Sequence, residues 1–238
     1  MMYIRENDGY TVKTRKGFRM ADGKTVIEQR PEGLTLCGEE GELRADLTHM
    51  LPRLTQRNLA TELIVKAAKV KGDRTKMLAV DATAGFGEDA LLLAAAGFHV
   101  RMYERNESIA RLLEDAMRRA AETPELAPIV ARMELVHGDS IPALKEMDPA
   151  PDVILLDPMF PERTKSAAVR KKFQLLHHLE EPCADGEVLL AAAIAANPRR
   201  IIVKRPVKGE YLGGVKPSFS LTGKAVRVDV IVPANGIG

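Results

Sequence analysis

The sequence predicts an α/β fold: a mostly parallel, Rossmann-like sheet of seven strands, closed by an antiparallel hairpin and preceded by a small β-rich piece. Three observations lead there. From Met77 onward, short apolar runs alternate with stretches of helical periodicity, the pattern of parallel strands joined by crossover helices. A glycine-rich turn, Gly85-Phe86-Gly87, lies between the first of those strands and the first helix. Near the end of the chain, strand-like segments at 218–221 and 225–232 flank the turn Thr222-Gly223-Lys224.

Each element has its own signal. Residues 1–45 read as a small β-rich segment, with strands over 10–13, 25–29 and 33–37 and turns at Asp22-Gly23 and Glu40-Gly41. Residues 46–238 read as the main domain, with a helical lead-in over 46–72. There Leu59, Leu63, Ile64, Ala67 and Ala68 recur at helical spacing, and Lys71-Gly72 ends the run. Strands are expected at 77–81, His99–Glu104, Met133–His137, 152–157 and 200–204. The fourth, with Val153-Ile154-Leu155-Leu156, is apolar on both faces, as a central parallel strand must be. Helices are expected over 88–96, stopped by Gly97; over 108–121, closed off by Pro124; near 165–180; and over 186–196.

Bulk properties narrow the function. The 238 residues suit one α/β domain with an appendage, and 45% hydrophobic residues suffice for a core. The formal net charge is only +2, so affinity for nucleic acid must come from local basic patches. Cys37 and Cys183 are far apart and form no C-x-x-C pair, which argues against a disulfide framework or a metal site and suits a reducing cytoplasm. No apolar run reads as a signal peptide or approaches the roughly 18–20 residues of a membrane span.

The run Asp81-Ala82-Thr83-Ala84-Gly85-Phe86-Gly87 has the form of a nucleoside-binding turn. Gly85 and Gly87 let the backbone turn tightly and approach a ligand. Glu104 ends the next strand 17 residues after Gly87, where an acid can accept hydrogen bonds from both ribose hydroxyls. A dinucleotide would use the same geometry, with Ala90 as the tolerated variant of its third glycine. His137-Gly138-Asp139-Ser140, at the end of the third strand, discriminates: an Asp there can bind an adenine amino group, as methyltransferases do. Acids around the turn also suit S-adenosylmethionine, which carries positive charge and no phosphates. Asp81 and Asp157 are candidates to face that charge. Glu88 and Asp89 open the following helix, where they also favour its dipole.

The most specific motif is Leu156-Asp157-Pro158-Met159-Phe160-Pro161, at the C-terminal end of the fourth strand. It resembles the Asp/Asn-Pro-Pro-Tyr/Phe motif of enzymes that methylate exocyclic amino groups. Such an amine is a poor nucleophile because its lone pair is delocalised into the ring. Asp157 and the carbonyl of Pro158 can accept its two hydrogens and aim the lone pair at a methyl carbon. Phe160 can stack on the base. Positioning would supply most of the rate. Residues 162–172 hold five basic side chains and one acid. Arg163, Lys165, Arg170, Lys171 and Lys172, with Lys204 and Arg205 after the fifth strand, are candidates to grip phosphates. A solvated helix face would have the same composition.

Together these residues resemble the bacterial small-subunit ribosomal RNA guanine-N2 methyltransferases of the RsmJ type, a class I fold dependent on S-adenosylmethionine. The resemblance covers about residues 46–232 and rests on four runs. These are residues 81–90, Val100-Arg101-Met102-Tyr103-Glu104-Arg105-Asn106, the Asp-Pro-Met-Phe-Pro run with Lys165-Ser166-Ala167, and Val203-Lys204-Arg205-Pro206. It implies that Glu88, Asp89, Glu104, Arg105, Asp139, Ser140 and Asp157 contact the cofactor. It also implies that the product is N2-methylguanosine in 16S rRNA, with ribosomal RNA or the small subunit as partner. Two other readings stay open: methylation of an amine on another nucleic acid or a small molecule, and binding of S-adenosylmethionine or RNA without turnover.

Overall fold

A computed structural model describes residues 2–6, 9–14, 17–20, 25–39, 41–158 and 185–233. Six strands come first: β1 (Met2–Glu6), β2 (Gly9–Thr14), β3 (Gly17–Met20), β4 (Thr25–Arg30), β5 (Gly33–Gly38) and β6 (Gly41–Leu43). They form two three-stranded antiparallel sheets, β1-β2-β3 and β4-β5-β6. β1, β3 and β6 were not foreseen, and the expected turn at Asp22-Gly23 lies outside the described residues.

The expected helical lead-in is broken into three short helices: α1 (Leu51–Leu54), α2 (Gln56–Leu59) and α3 (Leu63–Ala67). Thr55 makes the first break. Its backbone is extended (φ −58°, ψ 143°), and its side chain accepts from the Asn58 amide to cap α2. The helical spacing of the apolar residues nonetheless marks the inward face: Ile64, Ala67 and Ala68 are buried, and Leu59 and Leu63 are partly buried against the same core.

The main sheet comprises β7 (Leu78–Asp81), β8 (His99–Glu104), β9 (Met133–His137), β10 (Val153–Leu156), β11 (Arg200–Pro206), β12 (Phe219–Thr222) and β13 (Val226–Ile231). Their order is β12-β13-β11-β10-β7-β8-β9. The five strands from β11 to β9 pair in parallel. β13 enters antiparallel between β11 and β12, as the closing hairpin predicts.

The connecting helices are α4 (Glu88–Ala95), α5 (Glu107–Ala120), α6 (Ala127–Val130), α7 (Ser140–Lys145) and α8 (Gly186–Ala195). Strand residues alternate between two buried clusters. Ala79, Val100, Met102, Val153, Leu155 and Ile202 pack on one face with α3, α4 and α5; Val80, Tyr103, Ile154, Leu156, Ile201 and Val203 pack on the other with α7 and α8. Two helices, α6 and α7, have no forecast. α7 was obscured by Pro142, which is tolerated because the first helical turn has no intrahelical acceptor for its amides. The helix expected near 165–180 lies outside the described residues.

α5 also carries the β4-β5-β6 sheet. Asp115, only 8% exposed, accepts from the Leu34 amide at 3.0 Å, from Arg119 Nε at 2.8 Å and from Arg118 at 3.0 Å. Arg119 reaches on to the Ala45 carbonyl. Burial pushes the Asp115 carboxyl up, but these donors outweigh it and hold the group below the usual aspartate range. Its stabilising effect is therefore present above the ordinary aspartate pKa and lost as pH falls through the folded-state value. Asp115→Ala should lower stability near neutrality by about 1–3 kcal/mol, and the deficit should shrink in acid. Denaturant titrations at both pH values check this; an equal deficit in acid would assign the loss to packing instead.

Candidate active site

In-register pairing brings the ends of the parallel strands into one row. Asp81 pairs opposite Leu155 and Met102, Glu104 opposite His137, and Leu156 opposite Val203. The next residues, Asp157 and Lys204, therefore emerge side by side. A cavity opens over this edge, where open α/β sheets hold their ligands.

The turn after β7 is pinned from both sides. Ala82 donates its amide to the Leu155 carbonyl at 3.0 Å, and Ala84 donates to Tyr103 at 3.0 Å. Gly85 and Gly87 take left-handed conformations (φ +53° and +73°). A Cβ on Gly85 would meet nothing within 4 Å, so the wall there is open to a ligand; a Cβ on Gly87 would strike Leu113 at 2.8 Å. Gly87 thus serves the packing of α4, while Gly85 faces the cavity.

Glu104 is 5% exposed and is held by two backbone amides: Gly85 donates to Oε2 at 2.9 Å and Asn106 to Oε1 at 2.8 Å. Burial raises its pKa and the two amides oppose the rise. Each carboxylate oxygen accepts in two directions, which leaves the group able to take up a diol. Asp139 accepts from the Ile141 amide at 2.8 Å and so caps α7 at the cavity edge. Arg105 lies 3.9 Å from Asp185 across the opening.

Of the residues singled out in the sequence, the cavity gathers Gly85, Glu104, Arg105, Asp139, Ser140, Asp157 and Pro158. Asp81, Gly87, Glu88 and Asp89 are not on its wall. Asp81 is 1% exposed beneath it, its Oδ1 accepting from the Thr83 amide at 3.1 Å. Glu88 turns toward His49 (3.4 Å), and Asp89 is engaged by Lys204. Phe160, Arg163, Lys165, Arg170, Lys171 and Lys172 lie outside the described residues.

Two of the expected phosphate contacts have partners within the fold. Lys204 Nζ is 2.6 Å from Asp89 Oδ2 and 2.9 Å from Asp157 Oδ2. Burial would lower the Lys204 pKa, but the two carboxylates hold it well above the usual lysine range. Arg205 is 7% exposed and donates from Nε to the Glu210 carbonyl at 2.8 Å. Both cations are turned into the fold because anionic or carbonyl acceptors lie within reach there.

Residues not anticipated complete the wall. Thr83 accepts from the Asp157 amide at 2.7 Å, tying the motif after β10 to the turn after β7. Tyr103, Ile109, Ile141 and Leu189 supply apolar surface, and Phe86 an aromatic ring. Their nearness to Asp81, Glu104 and Asp139 in sequence was the available signal for Thr83, Phe86, Tyr103 and Ile141; Leu189, from α8, had none.

The donor set also bears on the ligand. Among the described residues, Glu104, Asp139, Asp157 and Asp185 line the cavity against one guanidinium, Arg105. A pyrophosphate would be repelled there, whereas a sulfonium and an ammonium would be attracted. The residues present therefore fit S-adenosylmethionine. Among the described residues no helix is long and apolar enough to cross a membrane.

Sheet order, strand-end acids and cavity chemistry define a class I S-adenosylmethionine-dependent methyltransferase. A family model described as "Putative SAM-dependent methyltransferase" matches residues 22–233. The ribosomal RNA small subunit methyltransferase J of Pseudomonas aeruginosa UCBPP-PA14 is 45% identical over 179 residues, 74% of this chain and 67% of that one. The protein of the same name from Neisseria gonorrhoeae is 39% identical over 211 residues, 87% of this chain and 83% of that one. A crystal structure of a SAM-dependent methyltransferase from N. gonorrhoeae superposes with a TM-score of 0.70 at 31% identity, covering 94% of this chain and 86% of that one. The chain belongs to the ribosomal RNA small subunit methyltransferase J family, and S-adenosylmethionine is its cofactor.

Asp81 supplies a test of how the edge is built. Burial pushes its carboxyl up to about 7, with Asp89 and Asp157 adding to the rise and the Thr83 amide and Lys204 opposing it. A raised carboxyl pKa means that stability is fully present below the unfolded value of 3.8 and is lost as pH rises through about 7. Asp81→Asn should therefore raise the melting temperature most above pH 7, by an amount that shrinks steadily as pH falls toward about 4. Calorimetric melts across that range check this; a variant that follows the wild-type pH profile would show that Asp81 is not the group responsible.

Proposed function

We propose that this protein transfers a methyl group to the exocyclic N2 amine of a guanosine in 16S ribosomal RNA, in the cytoplasm. Its relatives' name, ribosomal RNA small subunit methyltransferase J, supports the substrate class. The chemistry rests on one observation: Asp157 and Pro158 stand at the tip of β10 on the wall of the cavity that also holds Glu104.

Glu104 would accept from the ribose hydroxyls of the cofactor. Asp139 would take the adenine amino group, with Ser140 beside it and Ile141 and Leu189 packing on the ring. S-adenosylmethionine supplies an electrophilic methyl carbon on a positively charged sulfur. Asp157 and the Pro158 carbonyl would accept the two amine hydrogens, localise the nitrogen lone pair and hold it in line with that carbon. The Thr83 contact fixes the Asp157 backbone for this purpose. As the N–C bond forms, the bond from the methyl carbon to sulfur would break, its electron pair staying on sulfur so that neutral S-adenosylhomocysteine leaves; the amine becomes acidic and its proton would pass to Asp157 or to water, so no strong base is needed. Phe160 would stack on the base, and Arg163, Lys165, Arg170, Lys171 and Lys172 would hold flanking phosphates.

Asp157→Ala should leave affinity for S-adenosylhomocysteine within a few-fold, by calorimetry, and abolish methyl transfer; loss of binding alone would contradict the assigned role. Nucleoside mass spectrometry of 16S rRNA from cells lacking the gene should show less N2-methylguanosine. Wild type should restore it and Asp157→Ala should not. An unchanged nucleoside profile would remove rRNA as the substrate.

A further inference from the structure

We propose that Lys204 is a positioning residue for methyl transfer: by donating to Asp89 and Asp157 together, it fixes the Asp157 carboxylate at the tip of β10 and keeps it ionised. The inference rests on the reading that Asp157 accepts the amine hydrogens.

The placement follows from topology. Leu156 pairs with Val203, so the residues that follow on β10 and β11 are neighbours at the sheet edge. The ammonium has three donors and a compact charge. Here it lies 2.6 Å from Asp89 Oδ2, on α4, and 2.9 Å from Asp157 Oδ2. Asp89 is 14% exposed at its side chain and Lys204 27%, so both are largely withdrawn from solvent. Asp157, at 39%, remains open to the cavity. Lys204 thus bridges a sequestered carboxylate to one that meets substrate.

The surroundings favour that bridge. Asp81, buried on β7, adds a third acid within electrostatic range of Asp157 and Lys204. Other cations face the group from further off: Arg205 on β11, and Arg53 on α1, which acts on Asp89. Arg53 is committed to Glu62, with two bonds of 2.8 Å. Acids crowded in a poorly solvated volume share protons, and one of them becomes neutral unless a cation intervenes. A protonated Asp157 would present a donor where the amine needs an acceptor. Lys204 thus acts on the reaction through Asp157, without touching the base or the methyl group.

The test compares Lys204→Gln, which keeps a hydrogen-bond donor without charge, with Lys204→Arg, which keeps the charge. Carbon NMR of protein labelled at aspartate carboxyls, with the Asp157 signal assigned by its loss in Asp157→Asn, follows the titration directly. In Lys204→Gln the Asp157 midpoint should rise by about 1–3 pH units, and in Lys204→Arg it should return most of the way. With 16S rRNA as substrate, kcat of the Gln variant at neutral pH should fall about tenfold or more. Its acid limb should move upward with the midpoint, while KM for RNA stays within a few-fold. An unmoved midpoint in Lys204→Gln would overturn the proposal. So would a raised KM and a flatter salt dependence with kcat intact, the signature of a phosphate contact. The titration needs no substrate, so its failure is separable from failure of the guanosine reading.

Discussion

Parallel pairing of β7, β8, β9, β10 and β11 in a single register governs everything that happens at the cavity. Strands that run the same way end on the same side, and here each brings a polar or charged group to that side. The ladder is apolar and buried through its middle, with Val153, Ile154, Leu155 and Leu156 all at 0% exposure. Burial excludes polar side chains from the middle of this strand, and at its end they concentrate. The site is thus a by-product of how a doubly covered sheet partitions its residues.

That concentration creates an electrostatic problem. Asp81, Asp89 and Asp157 converge where water is scarce, and like charges there repel strongly. The fold meets this in two ways. Lys204 is inserted between two of the acids, and the third is buried with its pKa raised to about 7. Glu104, the acid of β8, is handled differently, by two backbone amides, with no cation in direct contact among the described residues. The acids are thereby adapted to separate roles. On the proposed reading Glu104 is suited to neutral hydroxyls and Asp157 to a reacting amine, while Asp81 holds the turn through the Thr83 amide.

The turn after β7 links these roles. Its amides reach across to β8 and β10, and Thr83 and Gly85 contact two of the acids that line the cavity, Asp157 and Glu104. A displacement of the turn would move Glu104 and the Asp157-Pro158 tip of β10 together. On the proposed reading, such coupling would keep the methyl donor and its acceptor in fixed relation, which is what an in-line displacement demands.

By itself the sequence determined the sheet, because apolar runs, helix stops and turn residues are local signals that burial obeys. Glu104, Asp139 and Asp157 were legible for the same reason: each lies at the end of a strand or within two residues after it. The short helices around Thr55 and the helix begun at Ser140 were harder to read, since a capping threonine and a first-turn proline look like breaks whether or not helix continues beyond them. Tertiary structure alone decided what the charges do. Lys204 read as a surface cation, and its partners Asp157 and Asp89 lie far away in sequence. The same holds for the Thr83 hydroxyl beneath Asp157 and for Leu189 on the cavity wall. Electrostatic and apolar contacts act through space, and chain neighbours carry no record of which strand ends will meet.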